Sequence, residues 1–562
     1  MTQSRIWPVL LWSALWLILV GVALATRPLL PMDETRYLSV AWEMHLRGDY
    51  LVPHLNGATY SHKPPLLFWL INLGWAVFGV NEWWPRLVAP LFGLATLFAT
   101  GALARRLWPD DLDGDHQYAA PLILLGAFLA TIYTTITMFD MMLAFMTVIA
   151  ILGIVMAWQA GRPLGIILFA LGTGFGVLVK GPAILLHVLP VALSAPWWGP
   201  VLQGSVPGER SLVQWYIAVV VGVIGAVVIA LAWALPAGIA GGEAYRDAIF
   251  WGQSAGRMVD SFAHREPWWF YLAIIGPLAM PWCVWPPVWR AIGAVDEGNT
   301  GIRAATLADG GARLCLVWFA TAFLAFSAIS GKQPHYLLPE FPALALILAM
   351  LLARRATKDQ AKGTDQVIPG LVLVIIGLTA ISVEQSSPEP IPGADTLQLW
   401  WLVSVIVVAI AVAAIPAPSN LFRIAGLTIL SVTLFVSIHL AARPLLLQAF
   451  DLKPLAETVR AWQSEGRGVA HFGTYHGQFQ FLGRLSEPVA AIGLRDDDVE
   501  IWLAANPTGR IVSYRRCAPT DGMPIYTQPF RGRIIVVWDA ASIAANPALA
   551  ERGSKADCAK KP

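Results

Sequence analysis

From Trp7 to about Ala441 the chain repeats one pattern, apolar runs of about 17 to 24 residues separated by polar connections. A run of that length crosses a hydrocarbon core of about 30 Å as a helix, and helices satisfy their own backbone groups in lipid. Several such runs in series exclude an ordinary soluble fold. Of the 562 residues 57% are apolar and 13% charged, against roughly 25% charged in a soluble domain. Tryptophan pairs stand near the run ends, as at Trp83-Trp84, Trp197-Trp198, Trp268-Trp269 and Trp400-Trp401, where amphipathic rings favour the headgroup region. A net charge of +2, with no basic stripe interleaved with aromatics, argues against a nucleic-acid partner. The first run, Trp7–Ala25, is long for a signal peptide and is expected to remain as the first helix.

Candidate spans lie at roughly 7–26, 84–105, 118–136, 141–158, 163–179, 181–197, 212–235, 268–289, 313–329, 336–353, 367–385, 399–416 and 422–441, about thirteen in all. The connections with Arg105-Arg106, Arg162, Arg210, Arg290 with Arg303 and Arg313, Arg354-Arg355 with Lys358 and Lys362, and Arg423 share one side, which the positive-inside rule makes cytoplasmic. Leu66–Val80 is apolar but only about 15 residues long. Counting it as a span would turn Arg105-Arg106 and most later basic loops outward, so it is expected to lie on the outer surface as a helix. The pattern divides the chain into a transmembrane domain, 1–441, and a polar tail, 442–562, outside the cytoplasm. Short strands at Arg510–Tyr514 and Arg533–Trp538, Gly and Pro turns and the helical stretch Leu455–Trp462 predict a small α/β domain there. The four cysteines have no metal-binding spacing; Cys517 and Cys558 share the tail, where a disulfide is permitted and two free thiols are equally compatible with the sequence.

With this topology the unusual charges share the outer side. After the first span comes Pro31-Met32-Asp33-Glu34-Thr35-Arg36-Tyr37, and acids so near a bilayer need a use or a partner. Asp33 taken alone fits a helix cap. The same loop ends in Tyr60-Ser61-His62-Lys63-Pro64-Pro65, where Lys63 suits a phosphate as a point charge, or simply snorkels. Asp140 sits in a very short outer turn and either caps the following helix or faces the same cavity as Asp33. Lys180 stands in a sharp Gly-Pro turn, and Arg257, His264, Arg265 and Glu266 share one further loop. The turn from Gly331 to Tyr336 adds Lys332, His335 and Tyr336. His62 and His264 are outer histidines beside carboxylates, and spacing does not decide whether they bind metal. Asp111, Asp113 and Asp115, on the cytoplasmic side, read as a solvated loop.

In their order these segments resemble the C-type glycosyltransferases, specifically the bacterial aminoarabinose transferases and their relatives, the protein O-mannosyltransferases. Asp33 through Tyr37 matches the family's acidic motif, Tyr60 through Pro64 its Tyr-x-x-Lys-Pro motif, Gly176 through Pro182 a Leu-x-Lys-Gly-Pro turn, and Lys332 through Pro339 a Lys-x-x-x-Tyr-x-Leu-Pro motif. The resemblance covers residues 5–355 well and the tail loosely. It implies the mainly α, multi-span architecture of that family, with juxtamembrane helices on the outer surface. It also implies inverting transfer of a sugar from a polyprenyl phosphate at the outer leaflet, in a bacterial inner membrane with the site facing the periplasm. Asp33 is then the acid at the reacting centre, with Asp140 and Glu34 as its companions. Lys63, Arg257 and Tyr336 are donor-phosphate contacts, joined by Arg36 and Lys332, while Tyr37, Tyr60 and Lys180 line the cavity. His264 matches a histidine that can help bind a divalent metal such as zinc, with His62 as the second candidate ligand. The sequence departs from the aminoarabinose transferases at His62, where they usually have Glu. No cofactor is required for the transfer itself.

The sugar expected first is 4-amino-4-deoxy-L-arabinose on undecaprenyl phosphate, and the acceptor lipid A or another envelope glycan. A protein hydroxyl, as in the O-mannosyltransferases, is the alternative. A lipid-linked sugar flippase or transporter is the competing class, but it would favour charges at mid-membrane and repeated halves. The sequence has neither.

Overall fold

The computed structural model describes residues 6–109, 115–202, 211–252, 265–293, 307–356, 363–385, 396–415, 417–495, 497–517, 519 and 522–549. Arg210, Arg257, His264, Arg303, Lys358, Lys362, Asp111, Asp113 and Cys558 lie outside the described residues. The protein is mainly helical, with one small mixed sheet near its C-terminus. Among the described residues eight helices are long and apolar enough to cross a membrane, or nine if the bent pair Ile184–Leu193 and Ala195–Val201 counts as one span. Helices Val367–Thr379 and Leu399–Ala414 are apolar but shorter. Leu66–Phe78 is also short, a helix of 13 residues.

Two predicted spans are broken. The run at 118–136 divides into Asp115–Gly126 and Phe128–Tyr133, with Ala127 extended between them (φ −71°, ψ 130°). Backbone groups freed in an apolar interior must find partners, and here hydroxyls supply them. Thr428 Oγ1 donates to the carbonyl of Leu122 (2.9 Å), Thr131 Oγ1 to Leu125 (2.6 Å) and Ser431 Oγ to Gly126 (2.7 Å), while Phe128 N donates to Met280 O (3.0 Å). The run at 268–289 likewise divides, with helix Phe270–Leu278 ending just past Pro277 and a second helix, Pro286–Gly293, following.

Four helices frame the end of the bundle that carries Asp33. Helix α1 (Ile6–Thr26) is the first candidate span and α2 (Asp33–Arg47) follows it. After them come α3 (Leu66–Phe78) and α4 (Trp83–Leu107). Arg86 on α4 donates to the carbonyls of Ala23, Leu24 and Arg27 at 2.9–3.2 Å, satisfying the C-terminal end of α1. The basic pair Arg105-Arg106 closes α4 at its other end.

The helices Phe139–Ala160 and Pro163–Lys180 form an antiparallel hairpin whose backbones touch. A Cβ on Gly153 would lie 2.5 Å from Phe169 N, and one on Gly165 2.4 Å from Ala157 N. Small residues permit this approach. The hairpin brings Asp140, in the first turn of one helix, beside Lys180, the last residue of the other, where each charge complements its helix dipole.

The tail folds on a five-stranded sheet. Beyond the hairpin β1 (His54–Leu55) and β2 (Ala58–Thr59), its strands are β3 (Val469–Phe472), β4 (Ala490–Ile492), β5 (Arg510–Arg515), β6 (Tyr526–Phe530) and β7 (Arg533–Asp539). Their order is β4-β3-β5-β7-β6, with β3 parallel to β4 and β5 and the other pairs antiparallel. The helix leading into the tail runs Asn420–Phe450, well past Ala441 where the hydropathy signal fades. Cys517 is disulfide-bonded.

Candidate active site

The segment after α1 is tied down by a buried ion pair. Glu34 and Arg27 have side chains 1% and 2% exposed, with Arg27 Nη2 donating to Glu34 Oε1 at 2.9 Å and a second contact between Nη1 and Oε2. Glu34 also accepts from Leu30 N and Thr137 N, both at 2.7 Å. Arg27 bonds the carbonyl of Thr135. Glu34, grouped by sequence with the reacting acid, thus has both oxygens engaged in tying the start of α2 to the turn that leads to Asp140. It is framework.

Asp33 points the other way. It begins α2 but makes no capping hydrogen bond; Arg36 and Tyr37 donate to its Oδ1 instead, Tyr37 from 3.4 Å. Its side chain is half exposed. Tyr37 is buried, and that burial, reinforced by Asp33, pushes its hydroxyl well above the usual phenol range, so it stays a proton donor. Burial works to lower the Arg36 guanidinium, but Tyr60 and Asp33 outweigh it and raise it further. Tyr60 is buried and stacks on His62 with ring centroids 5.3 Å apart.

A second cluster lies deeper. Asp140, 2% exposed, does not cap its helix; it pairs with Lys180, and His335 Nε2 approaches its other oxygen at 4.0 Å. His335 Nδ1 lies 3.1 Å from the Tyr133 hydroxyl, and Lys180 Nζ sits 4.5 Å from the centre of the Tyr336 ring. Behind Tyr336, His187 pairs with Glu340, both fully buried, and Phe326 lies between the two layers with ring centroids 5.3 Å from His187 and 5.8 Å from Tyr336.

Phe139, the neighbour of Asp140, joins the two clusters. Its ring meets Tyr37 edge-on at 4.9 Å and Phe68 at 5.7 Å, and Lys63 Nζ stands 5.6 Å from its centre. Lys63 is therefore held inward by a cation–π contact, rather than simply snorkelling outward. Lys332 is placed apart, buried and donating to the carbonyls of Glu266 (2.9 Å) and Ile329 (2.6 Å). It pins the turn before His335 to the segment entering at Arg265, which bridges to Gly331.

A family model for dolichyl-phosphate-mannose-protein mannosyltransferase matches residues 62–233. The undecaprenyl phosphate-alpha-4-amino-4-deoxy-L-arabinose arabinosyl transferase of Edwardsiella ictaluri is 31% identical over 373 residues, 65% of this chain and 62% of that protein. A Pseudomonas fluorescens protein of the same name, numbered 2, is 27% identical over 67% of this chain and 65% of its own length. The chain thus spans less than two thirds of these curated relatives. The crystal structure of ArnT from Cupriavidus metallidurans bound to undecaprenyl phosphate matches with TM-score 0.73 at 18% identity, covering 95% of this chain and 98% of that one. That likeness is one of fold.

The predicted site residues fall into two groups. Asp33, Arg36, Tyr37, Tyr60, His62 and Lys63 form a rim, and Asp140, Lys180 and Tyr336 the deeper cluster. Arg257 and His264 lie outside the described residues. Among the described residues no three His, Cys, Asp or Glu side chains converge to hold a metal, and the His62 ring is stacked on Tyr60. Sequence reasoning missed Arg27, Arg86, Tyr133 and the His187–Glu340 pair, and gave His335 no role. His187 and Glu340 had left a signal, an ionisable group inside an apolar run.

Proposed function

We propose that the protein moves a sugar from undecaprenyl or another polyprenyl phosphate to an envelope acceptor, with inversion, at the membrane face that carries Asp33. The observation that carries this reading is the meeting, around Phe139, of a half-exposed Asp33–Arg36 pair and Lys63 with the buried Asp140–Lys180 pair. In the transfer the bond between the anomeric carbon and the phosphate oxygen breaks, and the phosphate leaves with the electron pair. Lys63 stabilises the charge that grows on it, with Tyr336, Arg36 and, assigned by sequence alone, Arg257 as further contacts. Acceptor oxygen attacks the opposite face of the ring. A hydroxyl acceptor gives its proton to Asp33; a phosphate acceptor is already ionised and needs only positioning.

Asp140 and Lys180 hold the Phe139 wall and the Tyr336 ring in place, while Glu34 and Lys332 fix the loops that carry the site. No cofactor is required, because the leaving group is an anion that side-chain cations stabilise directly. The sugar read first is 4-amino-4-deoxy-L-arabinose and the acceptor lipid A, as the names of the relatives suggest. The enzyme would act in a bacterial inner membrane with this site facing the periplasm. The match to a protein mannosyltransferase model over 62–233 favours a protein hydroxyl as the second acceptor. Membranes containing the protein, given radiolabelled polyprenyl-phosphate sugars and then separated into lipid and protein fractions, test both acceptors. Label in lipopolysaccharide supports the first and label in protein the second, whereas label left on every donor tried would point to a flippase.

A further inference from the structure

The C-terminal domain is docked on α2 through the segment that follows β3, from Gly477 to Leu485. β3 ends at Phe472, and the segment Gly473–Gln478 that follows lies at the carboxyl edge of its strand. In the order β4-β3-β5 the chain leaves β3 for a neighbour on one side and returns on the other, the switch point where parallel sheets place ligand-binding loops. That edge faces α2. Ser39 Oγ donates to Gly477 O at 2.6 Å and accepts from Phe481 N at 3.2 Å. Gly477 has φ 74°, and a Cβ there would lie 2.4 Å from Leu55 Cδ1, so only glycine permits the approach. Asn56, in the turn of the β1–β2 hairpin, clamps the same body by accepting from Gln480 Nε2 (2.6 Å) and Val489 N (2.8 Å) and donating to Val489 O (2.8 Å).

Ser39 lies three residues beyond Arg36 on α2, one turn along the same face. The clamp therefore sets His476, the neighbour of Gly477, beside the Asp33–Arg36 pair. His476 is half-buried, its backbone N–H held by Gln478 Oε1 at 3.1 Å. Burial and then the Arg36 charge push its imidazole below the ordinary range, with Asp33 opposing, so it is uncharged near neutral pH. Arg36 Nε is buried without a hydrogen-bond partner among the described residues. Within the pair itself Asp33 and Arg36 offset one another. A neutral imidazole beside a balanced pair suits hydroxyl groups better than a second anion.

We propose that His476 is a substrate-contacting residue supplied by the C-terminal domain, hydrogen-bonding hydroxyls of a sugar ring held between the loop Gly473–Gln478 and the Asp33–Arg36 pair. The proposal rests on the transferase reading. The ring belongs to the donor or to the acceptor, and kinetics separate the two. In the full-length protein, His476→Ala should raise the KM for one glycan substrate by roughly threefold to tenfold, the effect of one lost hydrogen bond. Turnover at saturation should be little changed, and His476→Gln should restore part of the loss. A rise for the polyprenyl-phosphate sugar alone assigns the donor ring; a rise for the acceptor alone assigns the acceptor. Ser39→Ala, which loosens the clamp, should raise the same KM, and the double variant should be no worse than His476→Ala alone. Unchanged KM values for both substrates in His476→Ala, or equal losses in turnover restored by neither variant, would overturn the proposal. Wild-type protein with no transfer from any donor would instead remove the transferase reading on which it stands.

Discussion

Two acids stand side by side at the start of α2, each with an arginine partner, and do opposite work. Glu34 is sealed with Arg27, both side chains at most 2% exposed, whereas Asp33 and Arg36 are 50% and 22% exposed. Nothing in the local sequence Asp33-Glu34-Thr35-Arg36 ranks the two acids. A helix turns about 100° per residue, so one carboxylate meets the protein interior while its neighbour stays half exposed. A charge buried with its partner is structure, because removing either leaves the other unpaired in a poor solvent. A charge with half its surface open remains able to meet a substrate.

The contrast can be broken first at its buried end. Glu34→Ala would strand the Arg27 guanidinium and release the Leu30 and Thr137 amides, and should destabilise the protein by about 3–5 kcal/mol, visible as loss of the monodisperse peak in detergent. A variant that keeps the wild-type profile would contradict the framework role. Lys180→Met removes the ion-pair partner of Asp140, leaving His335 and Lys63 nearby, and should cost about 3 kcal/mol, measured as a lower midpoint in thermal unfolding; an unchanged midpoint would mean the pair is dispensable. Asp33→Asn should shift that midpoint by no more than about 1 kcal/mol equivalent, since its pair with Arg36 is partly solvated. A large fall would place Asp33 with Glu34 in the framework. The smallest effect is expected at Lys453, whose 2.8 Å pair with Glu82 is exposed: Lys453→Ala should change stability by less than about 0.5 kcal/mol, and a larger loss would show that this contact helps to dock the tail.

Much of this arrangement was legible in the sequence because lipid imposes strict rules. Run length identified α4 as a candidate span and set Leu66–Val80 apart from the spans, and the helix found there, Leu66–Phe78, is indeed shorter than them. Motif order named Asp33, Lys63, Asp140, Lys180 and Tyr336. The breaks at Ala127 and near Pro281 were hidden, because an apolar run keeps the same hydropathy whether or not neighbouring hydroxyls take over its carbonyls. Glu34 and Lys332 were grouped with the reacting residues because sequence gives proximity but not direction. The docking of the tail was out of reach altogether, since Ser39–Gly477 and Asn56–Val489 join residues more than four hundred positions apart.

The most direct test is transfer from a radiolabelled polyprenyl-phosphate sugar by detergent-purified protein, comparing wild type with Asp33→Asn at equal amounts of folded enzyme. A fall of about 100-fold or more with the unfolding midpoint preserved is the predicted result, the scale expected for a positioned acid–base group. Transfer at the wild-type rate by the folded variant would contradict the account, because the open carboxylate would then take no part in the reaction.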